Sequence, residues 1–326
     1  MPYDQAPYGL EMATVLITQR LLEGSLEPLE TDGHELIQPG QSGPMSEDEL
    51  LDAVRRVDGV VCTLTDRITA AVLEAGARER LKVVGTASVG FDHIDVAAAK
   101  RLGVAVCNTP GVLDESTADL AFFLILAAAR RTSDSEADLR AGAWTGPTLA
   151  GHLGVDVHGA TLGLVGFGRI ARQVARRAEG FGMRVLHHSR RDTGEAGYVG
   201  VLEDLLALAD IVSLHVPLDT STRHLIGPAQ LAAMRPSSIL VNTARGPVVD
   251  EAALADALEA GRIFGAGLDV YENEPAVDPG LLAARHVTLL PHVGSATLAT
   301  RKAIGRLACQ GVDDLLAGRA PGAPVT

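Results

Sequence analysis

Positive charge, cysteine and long apolar runs are all scarce in this 326-residue sequence, and each scarcity removes a class of function. Acidic residues number 41 against 28 basic ones, for a formal charge of −13. That field repels nucleic acid and anionic membrane surfaces, so neither is expected as a partner. An anionic substrate must therefore be met by a few locally placed cations. Cysteine occurs only at Cys62, Cys107 and Cys309, an odd and widely spaced set that argues against a disulfide framework or a metal site. The longest apolar run, Leu120 to Ala129, is half the roughly twenty residues a membrane span needs, and it reads as a buried helix. No basic region followed by an apolar run stands at the N-terminus, so the expected location is cytoplasmic.

What is present is enough for a substantial core: 47% hydrophobic and 21% charged residues, in a length suited to two domains. The organising stretch is Thr161 to Arg177. Leu162, Leu164 and Val165 form a short buried strand, and Gly166, Gly168 and Ala171 follow in the G-x-G-x-x-[G/A] spacing that opens a dinucleotide-binding βαβ unit. Gly166 permits the turn, Gly168 lets backbone approach a pyrophosphate, and Ala171 lets the helix pack closely on its strand. Ile170, Val174 and Ala178 recur at helical spacing, with Arg169, Arg172, Arg176 and Arg177 opposite.

The next strand, Arg184 to His188, bears on the choice of cofactor. About twenty residues past the glycines an NAD-selective site presents Asp or Glu to the ribose 2′-hydroxyl. Here Ser189, Arg190 and Arg191 stand instead, and a hydroxyl with two guanidiniums can neutralise a 2′-phosphate. NADP(H) is therefore expected over NAD(H). The alternative is that the arginines are solvated loop charges and Asp192 turns inward.

Taken in order, Met1 to Glu11 shows no periodicity and reads as a loose extension. Strands are expected at Ala13–Thr18, Gly59–Thr63, Leu81–Thr86 and Val104–Cys107, with helices at Ile68–Ala75 and Ile94–Leu102. Asn108-Thr109-Pro110-Gly111 marks a boundary, and Ser116 is expected to cap a long helix through Arg130. Arg131 to His158 reads as loop-rich and polar, and holds the only tryptophan, Trp144. Later strands are expected at Ile211–Val216, Ile239–Asn242, Gly267–Tyr271 and Val287–Leu290, alternating with helices at Ile226–Met234 and Glu251–Ala260. The pattern is α/β, with two domains built on doubly wound parallel sheets. A final helix, Ala296–Leu316, has Ile304, Leu307, Ala308, Val312 and Leu315 on one face and is expected to pack back onto the first domain. The domains are accordingly placed at residues 1–108 with 293–326, and at 109–292.

Three polar residues stand at the ends of the late strands, where open α/β sheets place ligands: Arg245, Glu274 and His292. Singly, each reads as a surface charge, a loop carboxylate or a core histidine. Together they fit hydride addition to a 2-oxo acid, which needs a cation for the carboxylate and ketone, an acid for the developing alkoxide, and a carboxylate to support that acid. In Asp269-Val270-Tyr271-Glu272-Asn273-Glu274-Pro275 two carboxylates compete, and only position favours Glu274 over Glu272. The His187-His188 pair has no ligand cluster around it and is assigned no catalytic role.

Several ordered motifs together resemble the D-isomer-specific 2-hydroxyacid dehydrogenase family, and more narrowly its glyoxylate/hydroxypyruvate reductases. They are VGFDHIDV at Val89–Val96, NTPGVL at Asn108–Leu113, GLVGFGRIA at Gly163–Ala171, LHVPL at Leu214–Leu218, NTARGPVVDE at Asn242–Glu251, GLDVYENEP at Gly267–Pro275 and PHVGSAT at Pro291–Thr297. The resemblance implies a Rossmann cofactor domain and a flavodoxin-like substrate domain completed by the C-terminal helix. It implies a cleft that closes on substrate and a homodimer joined through the cofactor domains. It carries over Arg245, Glu274 and His292 as catalytic, with the Ser88-Val89-Gly90 backbone receiving the substrate carboxylate. It implies that Gly166, Phe167, Gly168, Arg169 and Ile170 cradle the pyrophosphate, and that Ser189, Arg190 and Arg191 meet the 2′-phosphate. Val216, Pro217, Thr243, Ala244, Asp269 and Gly294 complete the cofactor site, Asp269 and the main chain at Thr243 holding the nicotinamide carboxamide. Ser295 and Trp144 are assigned to the substrate pocket, Trp144 lent by the partner subunit; the alternative is that Trp144 merely anchors its loop.

The implied reaction is NADPH-dependent reduction of small 2-oxo acids, glyoxylate and hydroxypyruvate first, to 2-hydroxy acids of D configuration where chiral. The rivals are another dehydrogenase of the family, acting on D-lactate or 3-phosphoglycerate, and a non-catalytic cofactor-sensing protein resembling the corepressors that share the scaffold.

Overall fold

The computed structural model describes residues 12–39, 43–192 and 194–326, so the stretch expected to be a loose extension lies outside the described residues. The chain divides into two units, Met1–Leu113 with Ala296–Thr326, and Asp114–Ser295. The dividing points fall three to five residues beyond the expected ones. The shift has a local cause: a helix begins at Asp114, and the Val293 and Gly294 amides bind Asp269 inside the second unit.

In the first unit, strands β1 (Thr14–Ile17), β2 (Glu35–Ile37), β3 (Gly59–Cys62), β4 (Val83–Thr86) and β5 (Ala105–Cys107) alternate with helices α1 (Glu27–Thr31), α2 (Glu47–Ala53), α3 (Ala70–Ala77) and α4 (Val96–Leu102). The sheet is parallel, in the order β2-β1-β3-β4-β5 of flavodoxin-like folds. Side chains alternate across it, as a period of two requires. Val15, Ile17, Val61 and Val83 face one cluster, while Leu16, Val60, Cys62 and Val84 face the other. The C-terminal helix Leu298–Leu316 closes the first cluster with Ala308, Cys309 and Val312, so it does return to the first unit. Leu307 and Leu315 are only half-buried, and Gly305, Gly311 and Asp313 share the buried face instead. All three cysteines are free and buried, and burial pushes the thiols of Cys107 and Cys309 up to about 12.

The second unit holds β6 (Thr161–Val165), β7 (Arg184–His188), β8 (Ile211–Leu214), β9 (Ile239–Asn242), β10 (Gly265–Leu268) and β11 (Val287–Leu289). Its helices are α5 (Asp114–Ala129), α6 (Thr132–Arg140), α7 (Arg169–Glu179), α8 (Leu202–Leu208), α9 (Pro228–Ala233), α10 (Glu251–Glu259) and α11 (Pro279–Ala283). The parallel order is β11-β10-β9-β8-β6-β7, and Tyr198 bridges to His187 on the open side of β7. With that bridge as the third position, the sheet has the Rossmann order, and its direction of winding reverses between β6 and β8. Both faces are covered. Leu162, Leu164, Ile211 and Val241 pack under α5 and α7, and Val165, Val212, Leu214 and Leu240 pack under α8 to α10.

Three expectations need correction. Ser116 lies inside α5, which starts two residues earlier with Asp114 and Glu115 in its first turn, where carboxylates complement the helix dipole. The stretch from Arg131 is not all loop, because Thr132–Arg140 is helical with no buried residue, and the apolar period that marks a helix is absent from it. Strand β10 also starts and ends earlier than expected, which places Asp269 to Tyr271 in the turn beyond it. No helix among the described residues is long and apolar enough to cross a membrane.

Candidate active site

At the end of β9 the chain turns through Thr243-Ala244-Arg245-Gly246. The Asn242 side chain sets that turn: its Oδ1 accepts from the Ala244 amide (3.0 Å) and its Nδ2 donates to the Arg245 carbonyl (2.9 Å). A Cβ on Gly246 would lie 1.8 Å from the Tyr271 carbonyl carbon, so only glycine lets the turns after β9 and β10 touch. Arg245 Nη1 donates to the Ala244 carbonyl (2.7 Å), which ties one end of its guanidinium back to its own turn.

After β10, Asp269 is buried and accepts from the amides of Val293 (2.7 Å) and Gly294 (2.8 Å). Burial raises its pKa against those hydrogen bonds and the charge of His292. The bond to Val293 pins the backbone next to His292, which adopts a left-handed φ of 54°. His292 Nδ1 lies 2.8 Å from Glu274 Oε2, and Glu274 Oε1 accepts from the Tyr271 amide (3.0 Å). Burial raises the Glu274 pKa, but the hydrogen bond and charge of His292, the Tyr271 amide and the charge of Arg245 outweigh it, and the net shift is downward. Arg245, Glu274 and His292 thus come together. With Nδ1 facing a carboxylate, His292 Nε2 has no partner among the described residues. Glu272 is turned elsewhere, with Oε1 2.6 Å from His224 Nε2. Geometry therefore separates the two carboxylates, between which only position had favoured Glu274. Glu251, which the sequence reading missed, accepts from the amides of Glu272 and Asp278 and holds this loop.

The glycine turn lies between β6 and α7, beside the reversal of winding. Gly166 has φ 88°, and a Cβ there would sit 2.5 Å from the His215 carbonyl oxygen. A Cβ on Gly168 would meet nothing within 4 Å, so this backbone faces open space, and no side chain caps α7. Phe167 is sandwiched between the Arg172 guanidinium (4.8 Å) and the His187 ring (3.9 Å). Arg169 pairs with Asp114 (3.2 Å) and Ile170 is half-buried in the first turn of α7. Val216 and Pro217 follow β8, with the Pro217 carbonyl accepting from Thr222 Oγ1. Thr243 Oγ1, at the end of β9, is buried with no hydrogen-bond partner among the described residues. An uncapped helix start, an open glycine backbone and an orphaned hydroxyl fit a dinucleotide: Gly166 to Ile170 could hold its pyrophosphate and Thr243 its nicotinamide end.

Beyond β7, Ser189 Oγ donates to the Arg191 carbonyl (2.7 Å), Arg190 pairs at 3.5 Å with Asp219, and Arg191 is exposed. The Asp192 carboxylate accepts from the Gly194 amide (2.8 Å). In the first unit, every carbonyl of the Ser88-Val89-Gly90 turn is engaged: Ser88 by the Thr109 amide (3.0 Å), Val89 by Asn108 Nδ2 (2.7 Å) and Gly90 by Ser88 Oγ (2.6 Å). Their amides have no acceptor among the described residues. Ser295 is half-buried, and Trp144 is 55% exposed, so its indole buries little within its own unit.

The D-isomer specific 2-hydroxyacid dehydrogenase NAD-binding domain family matches residues 122–294. The glyoxylate reductase of Thermococcus litoralis is 41% identical over 318 residues, covering 94% of this chain and 95% of that protein. The crystal structure of a glyoxylate reductase from Paecilomyes thermophila superposes with a TM-score of 0.86 at 34% identity, covering 97% of this chain and 98% of that one. An NADPH-dependent glyoxylate/hydroxypyruvate reductase from Sinorhizobium meliloti, solved with NADP and malonate, gives 0.84 at 33% identity with 96% of each chain covered. This chain is thus an oxidoreductase that works with a nicotinamide cofactor, and it belongs to the D-isomer-specific 2-hydroxyacid dehydrogenase family.

Proposed function

We propose that the enzyme reduces small 2-oxo acids, glyoxylate and hydroxypyruvate first, to their 2-hydroxy acids, of D configuration where chiral, and prefers NADP(H) to NAD(H). The observation that carries this reading is the His292–Glu274 pair at 2.8 Å with the charge of Arg245 acting on the same carboxylate. Similarity to the named glyoxylate reductases supports the substrate class.

The nicotinamide, when bound, supplies the hydride. The chain supplies charge and a proton. Arg245 holds a cation beside the oxygen that becomes negative, and within the first unit the amides of Ser88, Val89 and Gly90 are suited to a carboxylate. His292 Nε2 delivers the proton to the alkoxide while ionised Glu274 orients the ring through Nδ1 and balances its charge. Asp269 keeps the His292 backbone in place through the Val293 amide. A preference for NADP(H) is supported by Ser189, Arg190 and Arg191 at the end of β7 and by an Asp192 carboxylate that accepts from Gly194. A homodimer is supported by Leu139, Trp144, Leu149 and Leu153, four large apolar side chains exposed within one segment.

A panel of small 2-oxo acids, run with both reduced cofactors, tests the reading. The highest kcat/KM is expected for glyoxylate or hydroxypyruvate with NADPH. A tenfold preference for NADH would defeat the cofactor assignment. Absence of turnover across the panel, with NADPH still bound, would favour a cofactor-sensing protein.

A further inference from the structure

We propose that Thr86 and His93 are positioning residues that set the Ser88-Val89-Gly90 turn to receive a carboxylate, an inference that rests on the substrate class proposed above. Counting protons fixes the direction of the hydrogen bonds behind the turn. Ser88 Oγ lies 2.6 Å from the Gly90 carbonyl oxygen, which only accepts, so the single hydroxyl proton of Ser88 is spent there. Thr86 Oγ1, 2.8 Å from Ser88 Oγ, must then donate to it. His93 Nε2, 3.0 Å from Thr86 Oγ1, must in turn carry a proton and donate. The chain runs one way, from His93 through Thr86 and Ser88 to the Gly90 carbonyl. Thr86 is fully buried and Ser88 nearly so, which strengthens each link and penalises any hydroxyl left without its partner.

The consequence falls on the turn. The Thr109 amide and Asn108 Nδ2 engage the other two carbonyls, so all three acceptors are occupied and the amides of Ser88, Val89 and Gly90 are the groups left over. Successive unpaired amides make an anion-receptive concavity, and a carbonyl turned among them would repel a carboxylate. The hydroxyl relay keeps the Gly90 carbonyl out of that position. Thr86 sits at the end of β4 and His93 two residues past Phe91, neither of them in the turn itself.

Thr86→Val keeps the shape and removes the middle donor. The KM for glyoxylate and the inhibition constant of oxalate, an unreactive carboxylate probe, should both rise by about fivefold to tenfold, the worth of one hydrogen bond. The kcat should move by less than about twofold and NADPH affinity should stay unchanged. Thr86→Ser, which restores the hydroxyl, should recover both constants, and His93→Gln, which keeps an N–H, should lie nearer wild type than His93→Leu. A Thr86→Val protein that melts earlier but keeps wild-type KM and oxalate inhibition would show a purely structural role and overturn the proposal. If the wild type binds oxalate in the presence of NADPH yet does not reduce glyoxylate, the substrate reading fails, and the relay stands or falls on the Thr86→Val effect on oxalate. If the wild type binds neither, the relay falls as well.

Discussion

Replacing Glu274 by Gln keeps the shape of the site and removes one charge, so its effect can be worked from the geometry. The carboxylate lies 2.8 Å from His292 Nδ1, and the two side chains are 29% and 25% exposed, so solvent screens the pair only in part. A hydrogen bond to a charged group is worth about 1.5–3 kcal/mol and a neutral one about 1 kcal/mol. The difference of about 0.5–2 kcal/mol corresponds to roughly twofold to thirtyfold in the support the carboxylate gives to proton delivery. Glu274 is held below its ordinary 4.5, so in the wild type it is ionised from about pH 5 to about pH 9. Its own titration lies lower: the stability it contributes is full above the unfolded value and is lost only as pH falls through the depressed folded value. The assay is reductive kcat with saturating glyoxylate and NADPH across that window, with deuterated NADPH confirming that hydride transfer is being timed. Glu274→Gln should lose about tenfold in reductive kcat across the window in which the wild-type carboxylate is ionised. His292→Ala sets the floor, about 10²- to 10⁴-fold down with NADPH affinity intact. Wild-type kcat in either Glu274→Gln or His292→Ala would refute the assignment of proton delivery to this pair.

Gly246→Ala tests how the site is held rather than what it does. The added methyl would meet the Tyr271 main chain at 1.8 Å, which no rotamer change relieves, so a loss on the order of 3 kcal/mol or more is expected in denaturant unfolding. An unchanged midpoint would mean that the turns after β9 and β10 part readily. For assembly, light scattering at micromolar concentration should give twice the mass of one chain, and Leu149→Asp with Leu153→Asp should shift it toward the monomer. A monomeric wild type would remove the dimer.

How much of this was legible in the sequence depends on whether the signal was local and apolar. Two strands match the expected bounds: Ile239–Asn242, a fully buried apolar run, and Arg184–His188, which follows closely on the Gly180 and Gly182 that end a helix and buries Leu186 and His187. Helix α6 gave no such signal, because nothing on it is buried. It is held by polar pairs such as Arg140 with Glu136 and by Asp134, which accepts from the His286 amide, and these leave no hydrophobic period to read. Short elements with half-exposed faces were equally silent, as at β2, although the Ser46–Glu49 capping box at α2 was a usable signal that went unread. At the site, residue types and order named Arg245 and His292 and position alone favoured Glu274, but what sets Glu274 apart from Glu272 is where a loop held by Glu251 points its side chains. The same limit applies to the Ser88 turn. Its motif is visible in the sequence, whereas the fact that makes it anion-receptive, three occupied carbonyls beside three unpaired amides, depends on Thr109 and Asn108 from the end of another strand. A motif therefore locates chemistry along the chain, and the hydrogen-bond count around it decides which atoms are left to do that chemistry.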